Sequence, residues 1–222
     1  MKGLGALLFD LDGTLLDSER AICHAASAAF RTLGVCVGEA EVALHLGAPL
    51  EELYDAYVGD GDAARCRAFM EAYVELHDAH PECEPLPFPG VTDALERLRA
   101  AAGLPMAVAT TKPSLRAQRQ IHAAGLALCF DHVQGTDPGM RPKPEPDVIV
   151  RACAALGVGA QRALMVGDTA RDVRAAKSAG AIAVAIAYDD DKRRAAHAFG
   201  ADVVIGSVAE MVAWIDAGLP LS

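Results

Sequence analysis

The sequence lacks the features that mark a secreted, membrane-spanning or nucleic-acid-binding chain. Its six cysteines form no CxxC pair, so they suggest neither a zinc cluster nor a disulfide framework, and we expect reduced thiols. The apolar run at residues 4–9 ends at Asp10 and Asp12 and is too short for a signal peptide or a membrane span. With 20 basic against 30 acidic residues, the chain is a poor partner for nucleic acid. We expect a cytoplasmic protein with no membrane partner.

Short apolar runs alternate with stretches of helical period along much of the chain. The runs have the unbroken apolar character of strands that are buried on both faces of a parallel sheet. They lie at residues 4–9, 104–109, 163–166 and 181–186, with weaker candidates at 130–133 and 203–205. Helical stretches between the later runs lie at residues 91–98, 114–124, 145–156 and 170–179. This alternation predicts an α/β fold with a mostly parallel sheet.

One connection is too long for a single crossover. Roughly ninety residues separate Asp10 from Leu104, whereas a strand-helix-strand crossover needs only about a dozen or more. Within this interval, apolar residues recur at helical spacing between glycine-containing breaks. The sequence therefore predicts a core of residues 1–16 and 88–222 and an inserted, all-helical lobe of residues 17–87, which we expect over the carboxyl edge of the sheet.

Negative charge is concentrated in the predicted insertion. Residues 18–88 contain 13 acidic and 4 basic side chains, whereas the rest of the chain contains 17 acidic and 16 basic ones. The basic residues that could hold an anion therefore lie mainly in the predicted core.

Two predicted strands are each followed by a pair of carboxylates. Asp10 and Asp12 are two residues apart, so in an extended segment both point to the same side. Asp168 and Asp172 have the i, i+4 spacing of one helix face. The carboxyl ends of parallel strands form the ligand-binding edge of α/β sheets, and clustered carboxylates suit Mg²⁺. The alternatives are a solvated acidic loop or turn at Asp10 and Asp12, and a helix cap at Asp168.

Two segments could balance these acids and hold an anion. Thr110, Thr111 and Lys112 follow a predicted strand and precede a helix, whose amino-terminal amides favour phosphate. Lys143 lies between two prolines ahead of another predicted helix. For each lysine, the alternative is a solvated side chain in a surface loop.

Together these motifs resemble those of the haloacid dehalogenase superfamily hydrolases, close to the phosphoglycolate-phosphatase-like group with a C1-type helical cap. The DxDGT motif matches residues 10–14, the strand-end Thr/Ser motif matches Thr110, the lysine motif matches Lys143, and the GDxxxD motif matches Asp168 and Asp172. The motifs occur in the order of the family, and the resemblance covers the whole chain. It implies a three-layer Rossmann-like core with an inserted helical cap.

The resemblance also implies a mechanism. Asp10 would attack phosphorus and form an aspartyl-phosphate, and Asp12 would act as general acid and then as general base. Mg²⁺ would be held by Asp10, by the backbone carbonyl of Asp12 and by Asp168, with Asp172 supporting it. The implied function is a phosphatase acting on a small phosphomonoester.

The same resemblance assigns substrate-binding roles to Thr110, Thr111 and Lys143, which would contact the phosphate oxygens. The partner would be a small phosphorylated metabolite, and the protein a monomer or a homodimer. Related phosphatases often have asparagine where this chain has Thr111, which places the inherited specificity in doubt. Phosphoglycolate is the first substrate we expect, and sugar phosphates or nucleoside monophosphates are the alternatives.

Three other functions remain open, and the residues disfavour each. Dehalogenases of the superfamily lack an acid equivalent to Asp12. Phosphomutases resembling β-phosphoglucomutase carry a histidine where this chain has Ile22, and His24 is about 200° around a helix from it. A non-catalytic binding module would have lost at least one of the motif residues, and none is missing. We therefore predict a phosphoric monoester hydrolase.

Overall fold

The computed structural model describes residues 3–79 and 85–216. The chain divides into two compact units, one formed by Met1–Leu16 with Pro87–Ser222 and the other by Asp17–Leu86. Five cysteines are free thiols, and Cys83 lies outside the described residues. No helix in the described part of the chain is long and apolar enough to cross a membrane.

The first unit is built on a six-stranded sheet. In chain order the strands of the protein are β1 (Ala6–Phe9), β2 (Leu16–Asp17), β3 (Leu86–Pro87), β4 (Met106–Ala109), β5 (His132–Gln134), β6 (Ala163–Gly167), β7 (Ile182–Ile186) and β8 (Val203–Ile205). The large sheet has the order β5-β4-β1-β6-β7-β8, and every neighbouring pair is parallel. The short strands β2 and β3 pair with each other where the chain passes between the units. The predicted α/β fold with a parallel sheet is confirmed.

Helices cover both faces of this sheet. They are α5 (Val91–Ala102), α6 (Ser114–Ala123), α7 (Asp147–Ala155), α8 (Ala170–Ala179), α9 (Asp190–His197) and α10 (Val208–Asp216). Alternate residues of β1 enter different cores, as the two-residue period of a strand requires. Leu7 and Phe9 pack with apolar residues of α5, α6 and α10, whereas Ala6 and Leu8 pack with those of α7, α8 and α9. The result is three layers with β1 in a central position.

The second unit is helical between its terminal strand residues. It contains α1 (Glu19–Thr32), α2 (Glu39–Ala43), α3 (Leu50–Tyr57) and α4 (Ala63–Asp78). These helices enclose a separate apolar cluster that includes Phe30, Tyr54, Phe69 and Tyr73. The rings of Phe30 and Phe69 are 4.4 Å apart between centroids. Asp62 begins α4 by accepting hydrogen bonds from the amides of Ala64 and Arg65.

Candidate active site

The candidate site lies at the carboxyl ends of β1, β4 and β6, which are neighbours in the sheet. Asp10 directly follows β1, and its backbone N–H donates to the carbonyl of Val166 at 2.8 Å. This bond extends the pairing of β1 with β6 by one residue and fixes where the Asp10 side chain leaves the sheet. Asp168 follows β6 directly. Asp10 and Asp168 thus follow two adjacent central strands of the sheet.

Lys143 is the buried cation of the site. Its side chain is 2% exposed, and Nζ donates to Oδ1 of Asp10 at 2.8 Å and to Oδ1 of Asp172 at 2.5 Å. Burial disfavours the charged form of Lys143, but the two carboxylates more than offset this and raise its pKa. The guanidinium of Arg171 donates to the Lys143 carbonyl at 3.1 Å. Lys143 is thus not the solvated loop lysine of the alternative interpretation.

Three carboxylates surround one point of the site. Asp10, Asp168 and Asp172 each offer an oxygen, and these oxygens lie within 4.8 Å of one another. Burial raises the pKa of Asp10 to about 6, with Asp172 adding to the rise and Lys143 opposing it. Burial, together with the charges of Asp172 and Asp10, also raises the pKa of Asp168. Because burial and the neighbouring carboxylates disfavour ionisation of Asp10 and Asp168, a cation at this point would stabilise their ionised forms.

Both oxygens of Asp172 are engaged by the protein. Oδ1 accepts from Lys143, and Oδ2 accepts from the N–H of Thr169 at 3.0 Å and from its hydroxyl at 2.5 Å. Thr169 is the N-cap of α8, so the alternative that Asp168 caps this helix is wrong. Asp10 and Asp168 are therefore the carboxylates best placed to contact a metal, with Asp172 supporting Lys143 and the start of α8.

The turn at Gly13 and Thr14 holds Asp168 in place. The Thr14 hydroxyl donates to Oδ1 of Asp168 at 3.1 Å. Gly13 has a φ of 76°, and a Cβ atom added there would lie 2.2 Å from Oδ2 of Asp168. Glycine is required at this position both for the left-handed backbone and for the close approach of the carboxylate.

We expect Gly13→Ala to destabilise the fold and to displace Asp168. A left-handed alanine costs roughly 1–2 kcal/mol, and the overlap with Asp168 should add at least about 1 kcal/mol. Gly180→Ala is the matched control, since Gly180 has a φ of 77° and a Cβ atom added there would meet nothing within 4 Å. Urea denaturation of both variants measures the difference. Equal losses of unfolding free energy would show that Asp168 does not constrain Gly13.

Asp12 has a separate partner. Lys112 Nζ lies 3.0 Å from Oδ1 and 2.8 Å from Oδ2 of the Asp12 carboxylate. Among the described residues, the three-carboxylate group does not include the Asp12 side chain. The predicted metal contact of Asp12 is through its backbone carbonyl and stays a prediction. Lys112 therefore pairs with Asp12, one of the four acids whose charge its segment could balance.

Thr110 and Thr111 follow β4 at the same edge. Thr110 is buried, and its N–H donates to the carbonyl of Gln134 at 3.0 Å. Its hydroxyl accepts from the N–H of Lys112 at 3.3 Å. Thr111 is half-buried. The phosphate-binding roles of Thr110, Thr111 and Lys143 stay predictions.

Tyr188 is a site neighbour that the motifs did not indicate. Its hydroxyl donates to the carbonyl of Thr14 at 2.7 Å, and its ring stacks on Phe88 with centroids 3.9 Å apart. Phe88 in turn donates its N–H to the carbonyl of Leu15 at 3.0 Å. The one signal in the sequence was position, because Tyr188 follows the apolar run of β7 at the edge where the other site residues lie.

His24 has a partner within the second unit. Its Nδ1 lies 3.0 Å from Oε1 of Glu39, and both side chains are about half exposed. Ile22 packs against the apolar cluster of that unit. That His24 does not replace the histidine of the mutases stays a prediction.

A sequence profile of haloacid dehalogenase-like hydrolases matches residues 7–186 of this chain. The chain therefore belongs to the haloacid dehalogenase-like hydrolase family. The match spans both units and contains all the motif residues. The predicted family is confirmed, and so is the prediction that the protein is an enzyme.

Relatives resemble the chain over nearly its full length. It is 33% identical over 220 residues to the "Probable phosphatase IndB" of Dickeya dadantii, covering 97% of this chain and 95% of the relative. It is 32% identical over 217 residues to a phosphoglycolate phosphatase of Chromobacterium violaceum, covering 95% and 96%. A solved structure of a haloacid dehalogenase-like hydrolase from Streptococcus pneumoniae is similar, with a TM-score of 0.82, 27% identity, and coverage of 96% and 99%.

Proposed function

We propose that the protein is a magnesium-dependent phosphatase that hydrolyses a small phosphomonoester through a phosphorylated Asp10. The observation that carries this proposal is the setting of the Asp10 carboxylate at the end of a central strand. It is bonded to the buried Lys143 and lies beside the carboxylates of Asp168 and Asp172. The phosphatase names of full-length relatives support the same reaction.

In the first step, an oxygen of Asp10 attacks phosphorus and the bond from phosphorus to the organic oxygen breaks. Asp12 gives its proton to that leaving oxygen, which departs as an alcohol. Asp12 is two residues beyond the nucleophile and 23% exposed, so it can exchange protons with the substrate side of the site. Lys143 keeps Asp10 ionised against the effect of burial, because its charge lowers the Asp10 pKa.

In the second step, water attacks the phosphorus of the aspartyl-phosphate. Asp12, now a carboxylate, accepts a proton from this water, and the bond from phosphorus to Asp10 breaks. Inorganic phosphate leaves, and both aspartates return to their starting states. The net reaction consumes one water and yields an alcohol and phosphate.

The carboxylate group fits Mg²⁺ in its chemistry. Its donors are all oxygens. Burial, with the charges of neighbouring carboxylates, raises the pKa values of Asp10 and Asp168, so a bound cation would favour their ionised forms. We place the metal contacts on Asp10, Asp168 and the backbone carbonyl of Asp12, with Asp172 supporting them. When bound, Mg²⁺ would shield the nucleophile from the charge of the phosphate and orient the transferring group.

The substrate would be a small phosphorylated metabolite of the cytoplasm. Thr110, Thr111 and Lys143 would bind its phosphate oxygens. Phosphoglycolate is the first candidate, supported by the relative that carries this name. Sugar phosphates and nucleoside monophosphates are the next classes to test, because fold and family do not set the substrate. A screen of some dozens of phosphorylated metabolites with Mg²⁺ would identify it.

Chelation should remove activity. We expect EDTA to abolish hydrolysis of an aryl phosphate and Mg²⁺ to restore it, while Ca²⁺ substitutes poorly because it prefers more ligands at longer distances. Phosphate release measures the effect. Full activity of the chelated protein would show that the reaction needs no metal. A lack of activity with every divalent metal and phosphate ester tested would overturn the proposed phosphatase function.

The metal should also change stability in a pH-dependent way. Because the Asp10 pKa is raised from 3.8 to about 6, the folded metal-free protein binds more protons than the unfolded chain between these values. Its free energy of unfolding should therefore fall as the pH rises from about 4 to about 6. Mg²⁺ should raise the melting temperature more at about pH 8 than at about pH 5, where protons compete for Asp10. An equal rise at both values would contradict metal binding at Asp10.

A further inference from the structure

The amine of Lys112 is held between two side chains. Nζ contacts both carboxylate oxygens of Asp12, at 2.8 Å and 3.0 Å, and it donates to Oε1 of Gln120 on α6. The Lys112 side chain is only 8% exposed. A lysine that is shielded in this way and bonded from two sides has given up most of its rotamer freedom, so the surrounding fold sets its position.

The backbone of Lys112 is fixed as well. Its N–H donates to the hydroxyl of Thr110 at 3.3 Å, and its carbonyl accepts from the N–H of Thr136 at 3.1 Å. A Cβ atom at Gly135 would lie 2.2 Å from this carbonyl, so the loop after β5 presses directly on the loop after β4. The Ser114 hydroxyl ties the two loops further, because it donates to Asp137 at 2.7 Å and accepts from Gly135 at 2.8 Å. The protein's own contacts therefore hold both the backbone and the amine of Lys112.

The two lysines of the site form ion pairs with different aspartates. Lys143 bonds to Asp10 and Asp172, whereas Lys112 bonds to Asp12. The Lys112 amine contacts both carboxylate oxygens of this second aspartate. Its contacts are those of a residue that sets the orientation of another side chain.

We propose that Lys112, held by Gln120, is a positioning residue for Asp12. This inference rests on the proposed function, in which Asp12 gives a proton to the leaving oxygen and later takes one from water. The Lys112 amine contacts both oxygens of the Asp12 carboxylate and so holds the carboxylate in one orientation, which both steps use. Lys112 itself exchanges no proton and forms no bond to phosphorus.

This role predicts an effect that depends on the leaving group. An alkyl phosphate needs a proton on its leaving oxygen, whereas the nitrophenolate of p-nitrophenyl phosphate leaves without one. The ratio kcat/KM includes steps only up to departure of the leaving group. Lys112→Met should therefore lower kcat/KM by at least about 30-fold for an alkyl phosphate and by less than about 3-fold for p-nitrophenyl phosphate.

The second step gives an independent readout with the aryl substrate. Without positioned Asp12, the aspartyl-phosphate should form at nearly the normal rate and hydrolyse slowly. Lys112→Met should then show a burst of about one nitrophenolate per enzyme, and intact-protein mass spectrometry should detect phosphorylated protein at steady state. A loss of folded structure would lower the burst and the steady rate together.

The experiment uses the full-length protein with Mg²⁺ and compares four variants, of which Lys112→Met is the first. Lys112→Arg keeps a cation and should restore part of the alkyl phosphate activity. Gln120→Leu keeps Lys112 but removes one of its partners, so it should lower kcat/KM for the alkyl phosphate selectively and by a smaller factor than Lys112→Met. This variant also tests the proposal if Lys112→Met fails to fold. Lys177→Met is the control, because Lys177 pairs with Asp202 at 3.1 Å and is about half exposed.

The outcomes separate the possible roles of Lys112. Equal losses for both substrates, with weaker competitive inhibition by inorganic phosphate, would show that Lys112 binds the phosphate and would overturn the proposal. Unchanged kinetics with both substrates would also overturn it. A wild-type protein that hydrolyses neither substrate refutes the proposed function itself, which is a result distinct from any difference among the variants.

Discussion

Asp10→Asn is expected to lower phosphatase turnover by at least about 10⁴-fold while the protein stays folded. The amide is nearly the same size as the carboxylate, but it cannot attack phosphorus. Stability should change by less than about 1 kcal/mol, since the buried charge of Asp10 is unfavourable and Lys143 keeps Asp172 as a partner. The substitution should therefore lower the turnover and leave the free energy of unfolding nearly unchanged.

Two measurements test this expectation. Phosphate release gives the turnover, and thermal unfolding confirms the fold. Asp191→Asn serves as the control, because Asp191 is 87% exposed on α9 and pairs there with Arg194. Detection of phosphorylated protein in the wild type, and its absence from Asp10→Asn, would directly support the aspartyl-phosphate. A folded Asp10→Asn protein with near-normal turnover would show that another group is the nucleophile.

Lys143→Met should give the largest loss of stability. Removing this amine leaves the carboxylates of Asp10 and Asp172 buried without their common cation, and such a loss costs about 3–5 kcal/mol. Chemical denaturation in EDTA at about pH 8 measures the cost. The loss of unfolding free energy should be smaller at pH 5, because Asp10 then takes up a proton and one of the two unpaired buried charges is removed.

The control for this prediction is Lys177→Met, which breaks an ion pair that is about half exposed on both sides. Exposed pairs of this kind contribute about 0–1 kcal/mol. A similar small cost for Lys143→Met, with no dependence on pH, would mean that Lys143 does not balance the buried carboxylates.

The sequence was sufficient to place the sheet and its carboxylates. Most residues of β1, β4, β6 and β7 are buried, and their unbroken apolar runs predicted parallel strands near the observed ranges. Asp10 and Asp168 follow two such runs directly, so a rule about strand ends was enough to bring them to one edge. The motif order then identified the family.

Other features depend on contacts that no periodic pattern encodes. α9 was not predicted, because Ala196 is its only buried residue and most of its other residues are charged. The pairing of Lys112 with Asp12 joins residues that are 100 positions apart, and only the parallel order of β4 and β1 brings them together. The N-cap of α8 is Thr169 and not Asp168, because Thr169 is the extended residue directly before the helix and its hydroxyl accepts from the N–H of Asp172. The sequence does not distinguish these two adjacent positions.

The staple formed by Tyr188, Phe88 and the Thr14–Leu15 turn has a consequence for the evolution of the protein. The stacked rings and the hydrogen bonds to the carbonyls of Thr14 and Leu15 join two segments of the sheet-containing unit. One is the segment just before the chain leaves this unit at Leu16, and the other begins where the chain re-enters it at Pro87. Insertions are tolerated where their two ends are close together on a stable domain. We infer that the helices between these points can be exchanged, shortened or lengthened over generations while the loop of Asp10 and Asp12 keeps its geometry. Under the proposed function, new substrates could then be acquired without changing the residues that carry the reaction.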